Sequence, residues 1–408
     1  MTVGGKIGRL GSCVVKRKLL KNMKRFVKRL IILGVLVVVL ITLSILQNST
    51  AVCEFFATTV SRAWIWFWGH VLGWISVSFY EWSLAVVILG LPAFVFFIVF
   101  FLIKKRYSAL VSLVLAVAIA GVSFGNVYIV SAGFAYNRNV LPTYVYREHE
   151  SQEVNYSDAL NIASLVVDEL NAAYEQIDHD ENGNVVYPFS FSELNDLIVE
   201  EYAKLDDEYF SSYTPNVKKI ANEWVMNELH ISGVFFAPYG EPNVSVGYSS
   251  MMLPYTMAHE LAHSKGVMRE NEANTVAAYV LLSSDNPYLR YSALVSCYTA
   301  ALSLVRLYPN SLSDYNLLYA KINEGVFKEI RNYNEYNSKF TTFDNVGKLF
   351  NDIYLKINGQ GGTNSYQKPS TSEDTGEKDD DGFPILKIRS YSNLQNVLIG
   401  LYKNCTLL

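Results

Sequence analysis

The sequence predicts a mainly α-helical protein in which three N-terminal transmembrane helices precede a mostly helical domain with a small β element. Uncharged apolar runs long enough to cross a bilayer occur only within the first third of the 408 residues. Beyond them, apolar residues recur mainly at spacings of three and four, the period of an amphipathic helix. Residues 233–247 differ, because two short apolar runs flank a proline-containing turn there, as in a hairpin or a pair of edge strands.

The three predicted transmembrane helices cover residues 30–46, 82–103 and 109–132, and none of these runs contains a charged residue. Each reaches the length that an apolar helix needs to cross the hydrocarbon core. A cleaved signal peptide would have a shorter apolar core and a small-residue cleavage site, so the first run is predicted to stay as an anchor. The lipid bilayer is therefore an expected partner of this chain.

The stretch 47–81, between the first two runs, is unusually aromatic. Tryptophan prefers the membrane interface, where its ring is buried and its N–H stays hydrated. We therefore expect an interfacial helix or a re-entrant segment built around Trp64, Trp66, Phe67, Trp68 and Trp74.

Charge is distributed asymmetrically along the chain. Residues 1–29 contain ten Lys or Arg and no acidic residue, and the link after the second run is Lys104-Lys105-Arg106. Basic segments stay in the cytoplasm, so the chain from residue 133 onward is predicted to be extracytoplasmic in a multi-pass cell-membrane protein. From Arg138 onward there are 20 basic and 36 acidic residues. This acidic balance argues against nucleic acid as a partner.

The domain that follows the spans is predicted to cover residues 133–358. Residues 359–383 are rich in Gly, Ser, Thr and Asp, which predicts a flexible insertion. Residues 384–408 are expected to return to the domain as a C-terminal helix. Within the domain, apolar periodicity predicts helices at 156–177, 191–205, 216–229, 251–266, 270–282, 288–307 and 314–333.

One segment has the pattern of a metal site. His259-Glu260-Leu261-Ala262-His263 matches HExxH. Residues four apart share a helix face, so His259 and His263 can offer imidazole nitrogens to one Zn²⁺ ion. Glu260 is placed beside them to accept a proton from an activated water. The four cysteines show no CxxC spacing, which argues against a cysteine-ligated zinc.

A third protein ligand is expected just downstream. Gly266 can end the first helix in a left-handed conformation, and a second helix is predicted to begin near Glu270. Glu270 and Asn274 share a helical face, so Glu270 would bind the metal and Asn274 would orient a ligand histidine. Glu272 points away if Glu270 faces the ion, because two residues turn a helix by about 200°. It remains the alternative third ligand.

Six segments of the chain form a recognisable set: 133–138 (GFAYNR), 237–241 (APYGE), 259–263 (HELAH), 269–274 (RENEAN), 354–356 (YLK) and 390–391 (SY). In these segments the chain resembles an uncharacterised family of bacterial membrane proteins, a domain of unknown function (DUF3810). The resemblance implies the arrangement of spans and the zinc site, and it names no substrate.

The HELAH segment followed by E-x-x-A-N is also similar to the gluzincin peptidases, in which a downstream Glu is the third ligand. HExxHxxG is similar to the metzincins as well. Their third histidine is replaced here by Arg269, which stays protonated and cannot bind a metal. The resemblance therefore implies a glutamate-type site.

These features predict a membrane-anchored zinc peptidase that acts on a peptide or protein outside the cytoplasm, with Glu260 as the base. The edge strand expected within 233–247 can pair with an extended peptide. Tyr239 and Glu241 are candidates for the cleft wall. Tyr391 is a candidate donor to the developing oxyanion, but the apolar pattern around it favours a packing role in an amphipathic helix. Two alternatives stay open: a zinc amidase acting on cell-wall material, and a membrane scaffold without enzymatic activity.

Overall fold

The computed structural model describes residues 4–141, 152–247, 249–366, 371–389 and 394–404. It confirms a mainly helical protein with three apolar N-terminal helices that could cross a membrane and a small amount of β-sheet. Tyr391 lies outside the described residues, so its predicted role is not addressed by the structure.

The N-terminal region consists of long apolar helices joined by short ones. The parts long and apolar enough to cross a membrane are Met23–Leu46, Phe79–Ile103 and Tyr107–Ser131, in agreement with the three predicted runs. Their side chains are largely exposed, as expected for helices whose surroundings are lipid. The helices are α1 (Gly4–Leu46), α2 (Thr50–Phe56), α3 (Arg62–Leu72), α4 (Phe79–Ile103) and α5 (Tyr107–Ser131).

The aromatic stretch between the first two spans is helical. A π-helical turn, Ala57–Ser61, joins α2 to α3. One side of α3 packs on the domain, where the indole of Trp64 donates to the carbonyl of Pro238 at 3.0 Å and Trp68 meets Tyr239 edge-on. Trp66 on the same helix is exposed. The stretch therefore joins the membrane region to the domain, which its composition did not indicate.

The domain is built around one large apolar core. Its centre is formed by α6 (Tyr156–Glu175), α9 (Leu253–Ser264), α10 (Glu270–Leu282) and α11 (Pro287–Val305), which pack on one another. Several helices begin at a side-chain N-cap: the side chains of Asn155, Ser190 and Asn286 accept backbone N–H groups in the first turns of α6, α7 (Phe191–Ala203) and α11. The surrounding helices are α7, α8 (Glu223–Glu228), α12 (Leu312–Lys321), α13 (Glu324–Asn337), α14 (Asp344–Ile357) and α15 (Leu394–Lys403).

The predicted hairpin is present. Strand β3 (Gly233–Phe236) pairs antiparallel with β4 (Glu241–Val244), with Gly233 opposite Val244. A short parallel strand, β2 (Lys218–Lys219), adds to the other side of β4, so β3 lies at the edge of this sheet within the described chain. The helix predicted over 216–229 is correspondingly shorter, because its first residues form β2 and only α8 is helical.

The segment predicted to be a flexible insertion contains regular structure. It includes a 3-10 helix, Gly362–Tyr366, and a strand, β5 (Thr371–Lys378). Strand β6 (Pro384–Arg389) pairs with β5 and with β1 (Gln152–Val154), so the predicted C-terminal helix over 384–408 begins only at α15. Backbone pairing orders β5, and β6 buries Leu386 and Ile388. The polar composition of β5 does not predict its pairing with β6.

A buried ion pair attaches the domain to the second span. The Nζ of Lys218 lies 2.6 Å from the Oε2 of Glu241, and the side chains are 6% and 3% exposed. Lys218 also donates to the carbonyl of Leu72, the last residue of α3, and to that of Val77 in the loop before α4. The Oε1 of Glu241 accepts the N–H groups of Phe79 and Tyr80 in the first turn of α4. Glu241 is therefore an anchor for α4, and its predicted place in the cleft wall was wrong.

A Lys218→Met variant should be strongly destabilised, because it leaves the carboxylate of Glu241 buried without its cation. Loss of one partner of a buried pair costs about 3–5 kcal/mol. Lys204→Met is the matched control, since Lys204 pairs with Glu201 on the surface with 60% of its side chain exposed, and such pairs contribute about 0–1 kcal/mol. Thermal unfolding of the purified full-length proteins measures both effects, and equal losses would contradict the anchoring role.

Candidate metal centre

Helix α9 presents both histidines of the HExxH segment on one face. His259 and His263 are one turn apart, and their ring centroids are 4.8 Å apart. Helix α9 ends at Ser264, and Gly266, the residue after the C-cap Lys265, has a φ of +92°. Its N–H donates to the carbonyl of His263, and the N–H of Val267 donates to the carbonyl of Ala262. This is a Schellman ending, which favours glycine at the left-handed position and turns the chain back toward α10.

Helix α10 brings Glu270 to the two histidines. The Oε2 of Glu270 lies 3.1 Å from the Nε2 of His259 and 3.7 Å from the Nε2 of His263. One potential ligand atom from each of the three residues lies within 4.8 Å of the other two. His263 and Glu270 are buried, and His259 is only slightly exposed. Three donor atoms of the kind that zinc prefers therefore converge on one point.

The outer nitrogens of both imidazoles are occupied by oxygen atoms. The Nδ1 of His259 lies 2.9 Å from the Oδ1 of Asn274, and the Nδ1 of His263 lies 2.7 Å from the carbonyl of Val267. A neutral imidazole that donates from Nδ1 has its lone pair on Nε2, the atom that faces Glu270. The expected contact between Asn274 and a histidine is present, and it has the geometry of a residue that orients a metal ligand.

Glu272, the alternative third ligand, is engaged elsewhere. Its carboxylate forms an ion pair with the guanidinium of Arg269 at 2.5 Å. Arg269 also donates to the carbonyls of Tyr136 and Arg138, so the pair belongs to the junction with the membrane region. The group of potential metal ligands found among the described residues contains Glu270 and leaves Glu272 out.

Glu260 is buried beside the cluster, and its Oε2 has no hydrogen-bond partner in the described part of the chain. Burial raises the pKa of its carboxyl to about 7, with Glu270 acting in the same direction and the two histidines opposing it. Its position depends on a glycine: a Cβ at Gly233 would lie 2.5 Å from the Oε1 of Glu260. Strand β3 can lie this close to α9 because residue 233 has no side chain.

The electrostatics of the cluster favour a positive charge between its members. Burial acts to raise the pKa of Glu270, but His263 and His259 hold it below its usual value. Burial acts to lower the pKa of His263, but Glu270 raises it above its usual value. The carboxylate of Glu270 therefore stays charged. The imidazole nitrogens that face it also carry lone pairs, so a proton or a metal cation between these groups stabilises the cluster. This donor set fits a zinc ion.

A group of side chains that the sequence patterns did not select surrounds the cluster. The hydroxyls of Tyr136 and Tyr354 are 2.8 Å apart, and burial raises the pKa of Tyr136, so its phenol stays protonated. The Oε1 of Gln360 accepts the N–H of Glu270 at 3.4 Å, and the carbonyl of Tyr366 accepts from Asn274. Tyr136 and Tyr354 lie in segments that carried the family resemblance, whereas Gln360 and Tyr366 lie in the predicted flexible insertion.

Residues 56–369 match the family described as "Protein of unknown function (DUF3810)". The chain belongs to the DUF3810 family. The match takes in the second and third spans, the candidate metal centre and α14, and it ends before β5. No curated protein and no solved structure matches the chain. Because the DUF3810 description names no activity, peptide hydrolysis and zinc binding stay predictions.

A Gly233→Ala variant tests the close approach of β3 to Glu260. The added methyl group must displace the carboxylate, so we expect a destabilisation of about 1–3 kcal/mol. Gly361→Ala is the control, since a Cβ there meets no atom of the described chain within 4 Å. Thermal unfolding should show a much smaller loss when Gly233→Ala is combined with Glu260→Ala, since contacting residues are energetically coupled. Equal losses in both backgrounds would contradict the contact.

Proposed function

We propose that this protein is a membrane-anchored zinc peptidase that hydrolyses peptide bonds on the extracytoplasmic side. One observation carries the proposal. Two histidine Nε2 atoms and the carboxylate of Glu270 converge beside the buried carboxylate of Glu260, whose Oε2 lacks a hydrogen-bond partner among the described residues. Buried polar atoms are normally satisfied, and an unsatisfied one beside such a cluster is typical of a functional site.

His259, His263 and Glu270 are the residues that would hold the zinc ion. A catalytic zinc keeps one coordination position free of protein ligands, and three protein ligands are consistent with that number. Bound there, zinc supplies Lewis acidity to a substrate carbonyl and to a water molecule. Asn274 and the carbonyl of Val267 orient the two imidazoles, which supports their role as ligands.

Glu260 is the proposed general base. It follows His259 directly, and its free Oε2 can accept a proton from the attacking water and return it to the leaving amine. Burial keeps bulk water away from this carboxylate.

A peptide substrate is supported by the position of β3. This strand is at the edge of its sheet within the described chain, and Gly233 at its start touches Glu260. An extended peptide can add to such an edge through main-chain hydrogen bonds. A peptide bound in this way would pass directly in front of the proposed base.

The extracytoplasmic side is supported by the charge pattern. The ten basic residues before the first span and Lys104-Lys105-Arg106 between the second and third spans are the segments expected to remain in the cytoplasm. With three spans, the domain then lies on the opposite side from the N-terminus.

Metal content tests the ligand set. Purified full-length protein should carry about one zinc ion per chain, because three protein ligands with one open position bind a single ion. His259→Ala and Glu270→Gln should lose it. Glu272→Gln is the matched control on the same helix and should keep its zinc, since Glu272 is paired with Arg269. Elemental analysis by mass spectrometry measures the ratio. Zinc-free wild-type protein would refute the site, and loss in Glu272→Gln alone would reassign the third ligand.

Activity tests the base. Glu260→Gln should keep its zinc and lower the rate of hydrolysis of a fluorogenic peptide library by about 10²–10⁴-fold, the usual contribution of a general base. Glu200→Gln, an exposed carboxylate on α7, should behave like the wild type. Zinc-loaded protein that cleaves peptidoglycan fragments and no peptide would favour the amidase alternative. Zinc-loaded protein inert toward both substrate classes would count against hydrolysis.

A further inference from the structure

Helix α14 carries a continuous exposed apolar stripe. Phe350 is 67% exposed, Leu349 57% and Ile357 77%. The exposed apolar residues of α14 recur at spacings of three and four, which places them on one side of the helix. The full stripe consists of Val346, Leu349, Phe350, Ile353, Tyr354 and Ile357.

The other sides of α14 show that the helix is held against the domain in a defined orientation. Leu355 is fully buried, and Gly347 packs so closely that a Cβ there would lie 2.7 Å from the carbonyl of Leu229. Asp352 and Lys356 form an ion pair that flanks the stripe on one side. The helix thus has a buried side, a charged side and an exposed apolar side. A contiguous apolar surface of this kind marks a binding surface.

The C-terminal part of the stripe touches the end of the third span. The hydroxyl of Tyr128 lies 3.2 Å from the hydroxyl of Tyr354 and donates to the Oδ1 of Asn358 at 2.9 Å. Tyr128 lies three residues before Ser131, the last residue of α5. This end of α14 therefore lies against the C-terminal end of the third span.

The N-terminal part of α14 is linked indirectly to the start of the second span. Phe343, just before the helix, packs edge-on against Trp224. Trp224 lies two residues after Asn222, whose N–H donates to the carboxylate of Glu81 at 2.7 Å. Glu81 lies in the first turn of α4. The C-terminal end of α14 thus contacts the third span directly, and its N-terminal end is linked to the second span through Trp224 and Asn222.

Exposed tryptophans lie in the same zone. Trp74, in the loop before α4, is 81% exposed; Trp82 in its first turn is 63% exposed, and Trp224 is 54% exposed. Tryptophan is enriched where hydrocarbon meets headgroups. A lipid surface accounts for these rings and for the stripe together, because it continues the apolar surroundings of the spans.

We propose that α14 is a membrane-surface helix that inserts its apolar stripe into the leaflet on the domain side, parallel to the bilayer plane. An amphipathic helix of this type buries its apolar face about 5–10 Å into the headgroup–acyl boundary. The inference goes beyond the proposed hydrolysis and does not depend on it. One consequence is that the metal centre is held at the membrane surface, since Gln360, three residues after α14, contacts Glu270.

The test places a fluorescent reporter on two sides of α14 in the full-length protein. Cys13 and Cys405 are replaced by serine, while Cys53 and Cys297 are buried and remain. Phe350→Cys and Lys348→Cys are each labelled with an environment-sensitive dye and reconstituted into phosphatidylcholine nanodiscs that contain lipids brominated near the headgroup end of the acyl chain. Position 348 is the matched control, two residues away and rotated by about 200°.

Bromolipid should quench the dye at position 350 at least about twofold more than the dye at position 348, because only the stripe is expected to reach the acyl chains. Weak and equal quenching at both positions would overturn the proposal. Efficient disulfide cross-linking between two copies of the unlabelled Phe350→Cys chain, with weak quenching of the labelled one, would overturn it in favour of a second copy on this surface. If Phe350→Cys lowers the melting temperature, Leu349→Cys provides the same measurement on the stripe.

Discussion

The arrangement of the membrane region and the domain depends on the buried guanidinium of Arg138. It pairs with Glu54 on α2, donates to the carbonyls of Tyr209 and Gly266, and lies 3.7 Å from the centre of the Tyr209 ring. A fully buried charge must keep its partners, because a lost partner leaves an uncompensated ion. Arg138 therefore holds the turn between α9 and α10, the turn that brings Glu270 to the two histidines, against the helix that follows the first span.

Other contacts also hold the domain against the membrane region. The Lys218–Glu241 pair holds the sheet that contains β3 on the start of α4, and Glu81 holds the start of α8. Strand β3 in turn touches Glu260. The parts of the candidate centre are thus positioned by contacts that run to the ends of the spans. The candidate centre is therefore held near the ends of the apolar helices, and the exposed apolar stripe on α14 lies in the same part of the molecule.

Local patterns predicted the features that depend on neighbouring residues. The spans follow from uncharged length, and the shared face of His259 and His263 follows from the helical repeat. Helical rotation favoured Glu270 over Glu272 as the third ligand without deciding between them. In the structure Glu272 turns away from the histidines because it pairs with Arg269. The strand β5 was not predicted, because its order comes from pairing with β6 and its own residues are polar. Glu241 was assigned to the cleft because its distant partner Lys218 cannot be inferred from spacing.

By itself, the sequence determined the helical class, the three apolar spans, the charge asymmetry and the HExxH segment with its glycine turn. These depend on composition and on periods of three to four residues, which the chain carries locally. Only the tertiary structure decided which carboxylate meets the histidines, that Gly233 leaves room for Glu260, and that the C-terminal end of α14 contacts the end of the third span. Those contacts join residues that are far apart in the chain. They form through burial, ion pairing and close packing of the whole fold.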